Sequence, residues 1–191
     1  MDAAARRDPR ALIVVLLGGD AGLRLGEIEG VEWTDVDFAR ALLKVQRSIY
    51  DGQARLPKGG TPRVVPLATR LRDALQEHRH LKGPRVLYED DGRLARREWL
   101  RWTLLRPAER LAGLPEKGRF HILRHTFCSR LAARNVPMLT IKELAGHASI
   151  ETTMRYMHLS SAAPREGIRA LQLGDILETA PGRGAVPSDS Q

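Results

Sequence analysis

Six side chains could do chemistry together: Arg24 in GLRLGE, Lys58 in LPKGGTPRVVPL, His121 and Arg124 in FHILRH, and His147 and Tyr156 in LAGHASIETTMRY. Breaking a phosphodiester without a metal needs fixed positive charge on the non-bridging oxygens, a nucleophile, and an acid for the departing oxygen. Arginine suits the first task, because its planar fork donates parallel hydrogen bonds and never loses its charge. Arg24 and Arg124, from distant parts of the chain, can clamp one phosphate from two sides. Tyr156 is the candidate nucleophile. A free phenol ionises near pH ~10, so little of it is phenolate at neutral pH. The expectation is that neighbouring cations lower that value and steady the attacking oxygen. Tyr50 and Tyr88 fall in strand or loop sequence without such neighbours. A plain core tyrosine is the alternative for Tyr156, since Met154 and Met157 flank it.

The elements that must position these groups follow from periodicity and punctuation. Pro9 opens an almost continuously apolar run over 9–19, which reads as a buried helix. A second short helix, LRLGEIEGV, starts near Arg24 and puts Glu27 on the same face. That carboxylate either balances the cations or makes an exposed i,i+3 ion pair. The period then changes. ALLKVQRSIY, QARLP and PRVVPL, separated by DG and GG turns, predict a three-stranded antiparallel meander with Lys58 on its second turn. A helix over Thr69 to His80 carries Leu71, Leu75 and His78 on one face. Another over Arg93 to Leu111 has Trp99, Trp102 and Leu105 as its apolar side and is interrupted at Pro107. Arg93, Arg97 and Arg101 recur every fourth residue, as a DNA-backbone-contacting face or a solvated one.

ILRHTFCSRLAARN is a strong helix, with His121 and Arg124 three apart at its N-terminus, where unpaired N–H groups favour an anion. MLTIKELAGH ends at Gly146, a typical helix-stop glycine. Ser149 caps IETTMRYMHL, with Glu151 in the first turn. His147 therefore sits in a tight turn, aimed where Tyr156 faces or capping the preceding helix. His125 reads as a packed or hydrogen-bonded helix residue, because a His121/His125 metal pair lacks the companion ligands. A last helix runs from Pro164 to Glu178, and the Gly/Pro/Ser-rich tail 179–191 predicts disorder. The fold class is α+β, mainly α, with one small antiparallel sheet.

Order and context of the six residues, from about Gly18 to Tyr156, resemble the catalytic domain of tyrosine recombinases, the phage-integrase family. The resemblance implies a domain over 1–178 that cuts and rejoins DNA strands through a covalent 3′-phosphotyrosyl link, with no metal or other cofactor. By the same resemblance, Lys58 is the general acid for the 5′-oxygen and His121 handles a proton. Arg124 completes the phosphate clamp, and His147 hydrogen-bonds a phosphate oxygen. Family members work as a homotetramer on double-stranded DNA, and the last helix resembles the segment that docks on a neighbouring protomer. Monomers are expected free in solution. The resemblance implies that this chain, whether an excised fragment or a naturally short version, lacks the family's N-terminal core-binding domain, and weak DNA affinity is expected of it. Two alternatives share the residue set or the partner: type IB topoisomerase-like strand relaxation, and a DNA-binding module without cleavage.

Composition agrees with a polyanionic partner. Against 23 acidic residues stand 31 Lys and Arg, a net charge of +8, which points either to a polyanionic partner, nucleic acid before an anionic membrane, or to a merely soluble basic protein. Cys128 is the single cysteine, so no internal disulfide forms, and a buried apolar role suits it. No apolar run reaches the ~20 residues of a membrane span. Leu12 to Leu17 is core helix rather than signal peptide, and a cytoplasmic location is expected.

Overall fold

The computed structural model describes residues 2–57, 61–159 and 168. Lys58, the expected helix from Pro164 (apart from Ile168) and the 179–191 tail lie outside the described residues. The chain opens with α1 (Asp2–Arg7), then turns at Asp8 into α2 (Pro9–Gly19). Asp8 accepts the Arg10 backbone N–H at 2.8 Å, and Pro9 sits where a missing N–H costs nothing. Ile13, Leu16 and Leu17 are fully buried on α2, each stabilising the fold by about 1.5–3 kcal/mol. This helix is the spine of the core.

Arg24 then caps α3 (Leu25–Gly30), and a short 3-10 turn leads into β1 (Val36–Asp37). The sheet is three-stranded and antiparallel, but its strands differ from those expected. Its order is β1, β2 (Leu42–Val45), β5 (Arg63–Pro66), with Leu43 opposite Val65 and Val45 opposite Arg63. ALLKVQRSIY is not one strand. Gln46 and Arg47 break it by bonding the buried Asp35 carboxylate, each at 2.6 Å. The remainder forms a separate hairpin, β3 (Ser48–Tyr50) with β4 (Gln53–Arg55), closed by Asp51-Gly52 with both φ angles positive. Every residue of β4 is exposed, so it has no apolar face to contribute to the main sheet.

Helix α4 (Thr69–Glu77) ends before His78, which leaves the helix to bond the Val86 carbonyl. The expected helix from Arg93 begins at Arg97 instead. α5 (Arg97–Trp99) passes through a π-helical turn (Leu100–Leu105) into α6 (Arg106–Leu111). Pro107 therefore does not interrupt it. The widened turn just before the ring relieves the clash and missing N–H that a proline brings to an α-helix. Leu100, Leu104 and Leu105 are buried, whereas Trp102 is 59% exposed with Arg106 stacked 4.2 Å from its ring. Trp102 is thus no core residue.

Next come α7 (Phe120–Ala132), α8 (Met138–Ala145) and α9 (Glu151–Met154). α8 stops at Gly146, whose φ of 65° is the left-handed conformation that a helix stop requires. Ser149 does not cap α9. Ile150 occupies the cap, and the helix lasts one turn before a 3-10 turn at Met157–Leu159. The β-branched pair Thr152-Thr153 propagates helix poorly, and the Thr153 hydroxyl is committed to His147. A second small core of Phe127, Cys128, Ala132, Ile141, Ala145 and Tyr156 joins α7 to α8 and α9.

Candidate active site

The site is built around a buried carboxylate. Glu27, in the first turn of α3, accepts the Arg24 backbone N–H at 2.9 Å and the Arg24 guanidinium at 3.0 Å. From β5, Arg63 grips the same carboxylate with two hydrogen bonds of 3.0 and 2.8 Å. Glu27 is only 1% exposed, which removes the exposed-pair reading. Burial by itself would raise its pKa, yet the hydrogen bonds and charges of Arg63 and Arg24 prevail and hold it below the ordinary value.

Both arginines also reach the end of α8. Arg24 donates to the Gly146 carbonyl at 2.8 Å and Arg63 to the Leu144 carbonyl at 2.9 Å, satisfying the carbonyls that a helix terminus leaves over. Sequence alone does not single out Arg63, though a signal for it exists. On β5 it shares a face with buried Val65, so strand alternation points a cation inward.

Arg124 projects from α7 into this cluster. One terminal nitrogen donates to the Gly22 carbonyl, while the other, Nη2, is buried and has no hydrogen-bond partner. Gly22 has φ 67°, and a Cβ there would meet the Phe127 ring at 2.5 Å, so glycine is what lets this carbonyl face Arg124. Burial, with Arg24 and Arg63 nearby, lowers the Arg124 pKa to about 10. A cation that is desolvated, crowded by like charge and short of one acceptor is poised to take an anion.

His147 is buried, with Nδ1 2.9 Å from the Thr153 hydroxyl. Its side chain therefore does not cap α8. Burial first, then Arg124, Arg24 and Arg63, depress its pKa to about 4, so the ring is neutral at physiological pH. Tyr156 lies parallel to it, ring centroids 6.3 Å apart. The expected lowering of the Tyr156 pKa is not found. Burial and neighbouring Cys128 raise it, outweighing the opposing pull of Arg124 and Arg155. The phenol is 8% exposed and hydrogen-bonded to His125 Nδ1.

His121 is exposed and meets His125 edge-on, centroids 5.7 Å apart. It lines a cavity of about 460 Å³ with Arg24, Arg101, Lys117, Arg119 and Arg124. Arg101 adds a second unpartnered donor, its buried Nε. The basic stripe does not exist as such. Arg93 lies off the helix and pairs with Asp91 at 2.6 Å, and Arg97 turns toward Glu29 and the Ile49 carbonyl; Arg101 alone of the three lines this cavity. Pro57 and Thr61, on either side of Lys58, line a cleft with Arg63, Gly146 and His147. Among the described residues no group of His, Cys, Asp and Glu is arranged to hold a metal, and no helix is long and apolar enough to cross a membrane.

Thus Arg24, Glu27, Arg124, His147 and Tyr156 come together, with His121 at the rim and Arg63 and His125 added to them. The sequence profile described as the phage integrase family matches residues 1–163, and the chain belongs to that family of tyrosine recombinases. It is 32% identical to a tyrosine recombinase XerC-like protein of Caldanaerobacter subterraneus subsp. tengcongensis, over 90% of this chain and 51% of that protein. It is 35% identical to tyrosine recombinase XerC of Stutzerimonas stutzeri, over 83% of this chain and 50% of that one. The chain thus spans about half the length of these curated relatives. Among solved structures, XerA recombinase aligns with TM-score 0.67 at 23% identity, over 94% of this chain and 59% of that one. The Tn1549 transposon integrase, solved with circular intermediate DNA, aligns at 0.68 and 23%, over 84% and 59%. These two share the fold: a largely helical catalytic domain with a small antiparallel sheet.

Proposed function

We propose that this chain is the catalytic domain, over residues 1–178, of a site-specific DNA recombinase that cuts and rejoins strands without metal or ATP. One observation carries the reading: the unpartnered, buried Arg124 Nη2 stands in a cluster with Arg24, next to a buried tyrosine. An anion with several acceptor oxygens fits this demand, and a phosphodiester is such an anion. Arg24 and Arg124 bind the non-bridging oxygens of the scissile phosphate and stabilise the charge that builds up as it is attacked. The neutral His147 offers its second ring nitrogen to the same phosphate. Glu27 keeps two arginines extended and aimed without itself touching DNA.

Tyr156 Oη attacks phosphorus, forms the 3′-phosphotyrosyl bond and displaces the 5′-oxygen. Lys58 delivers the proton that this oxygen needs; its described neighbours Pro57 and Thr61 line a cleft with His147, which supports this role. A 5′-hydroxyl from a partner duplex reverses the step, so bond energy is conserved. Arg101 contacts a phosphate beside the scissile one. The active assembly is a homotetramer on double-stranded DNA in the cytoplasm. A nicked duplex that loses its 5′-hydroxyl fragment on cleavage tests the reading. Wild type should accumulate an adduct resistant to SDS, and Tyr156→Phe should form none. Wild-type protein that binds DNA and never forms the adduct would leave a binding module instead.

A further inference from the structure

We infer that His125, not His121, accepts the proton from the Tyr156 hydroxyl as that oxygen attacks phosphorus. The step rests on the phosphoryl-transfer reading above. Its basis is contact: the Tyr156 hydroxyl is hydrogen-bonded to His125 Nδ1, and the two rings lie 5.6 Å apart. His121, which the resemblance makes the proton handler, instead meets His125 edge-on, ring centroids 5.7 Å apart. His125 follows Arg124 on α7, so a single turn of helix carries both the phosphate clamp and the proton acceptor.

The need for such a group follows from the environment of the phenol. Tyr156 is buried, and its pKa is raised rather than lowered. An unaided attack would create a phenolate in a setting that disfavours it. A base in direct contact removes that cost, because the proton leaves as the new bond forms. In the reaction the Oη–P bond forms while the P–O5′ bond breaks. The phenolic proton moves to His125 Nδ1, giving an imidazolium, and the departing O5′ takes its proton from the separate acid, Lys58. In the reverse step the imidazolium returns its proton to Oη as the tyrosine leaves.

His125 can do this only when neutral. The groups facing it are His121 and Arg124 from α7, His147 from the turn after α8, and Arg155 and Tyr156 from the segment after α9. Burial, then the charges of His121, Arg124 and Arg155, hold its pKa below the ordinary 6.5. The neutral ring therefore dominates at physiological pH, and the acceptor is lost only in acid. For Nδ1 to accept, the ring hydrogen must sit on Nε2.

Two measurements test this. Nitrogen-15 imidazole spectra of the free chain at neutral pH should assign His125 as the Nε2–H tautomer; a hydrogen on Nδ1 would overturn the proposal without any DNA present. On the nicked duplex, single-turnover cleavage by wild type should fall with acid through one ionisation below pH 6.5. Asparagine places an acceptor where Nδ1 was but cannot take a proton. His125→Asn should thus slow cleavage about 10²-fold or more and flatten the acid limb, whereas His121→Asn keeps that limb. Added imidazole should partly restore His125→Ala, which also covers a poorly folding Asn variant. His125→Asn within threefold of wild type, or faster, or an acid limb that survives in it, sinks the proposal alone. A wild-type chain that makes no adduct takes down the phosphoryl-transfer reading and this step with it.

Discussion

Arg124 donates to Gly22 with one nitrogen and holds the other unpaired among like charges. Lysine keeps the charge but loses the fork, so it cannot serve the carbonyl and a phosphate together. Arg124→Lys should lower single-turnover cleavage by about 10²–10³-fold, the scale of removing one aimed donor from a transition state. Loss below tenfold would show that the second nitrogen does not meet the phosphate. Glu27 is the converse case, a buried anion held by two cations. Glu27→Gln leaves those cations uncompensated and should cost about 3–5 kcal/mol in urea unfolding. The pH dependence of stability has the same origin. Glu27 is depressed in the folded state, so its contribution is present above its ordinary value of 4.5 and fades as pH falls through the folded value. His147 is a base held neutral down to about 4, while the unfolded chain takes up that proton near 6.5. Stability should therefore decline between those two pH values. In His147→Gln, denaturation followed across this window should show a shallower decline.

At the level of elements, what was legible in the chain is what local chemistry controls. Apolar α2, the α7 helix with His121 and Arg124 on one turn, and the stop at Gly146 all depend on neighbours in sequence. The sheet was harder to read because Asp35, upstream of β2, pulls Gln46 and Arg47 out of strand, a competition invisible to alternation alone. Pro107 looked like a break because the π turn ahead of it has no periodic signature. In the site, the types and order of the candidate groups are readable; Arg63 and the His125 contact arise from packing between distant segments. The Gly22 turn links element to site. Gly22→Ala must adopt φ 67° beside the Phe127 ring, costing about 1–2 kcal/mol from the backbone alone. It should also reduce cleavage, because the carbonyl that orients Arg124 moves. A variant as stable and as fast as wild type would remove that link.

Across the whole molecule, a net charge of +8 is unevenly spent. Glu27, Asp35 and Glu89 are buried acids tied to arginines, while Arg101, Lys117 and Arg119 line the cavity that opens beside Arg24 and Arg124. Duplex affinity should accordingly fall steeply with salt. Arg101→Ala should reduce the slope of log affinity against log salt by about one, the signature of one lost phosphate contact. An unchanged slope would place Arg101 off the DNA. The central claim is that Arg24, Arg124 and Tyr156 meet on a single phosphorus. A crystal structure with a nicked duplex and vanadate at the break tests it most directly. The account predicts vanadium bonded to Tyr156 Oη, with both guanidinium groups on its equatorial oxygens. Vanadate held elsewhere, or by only one of the two arginines with the phenol out of reach, would contradict it.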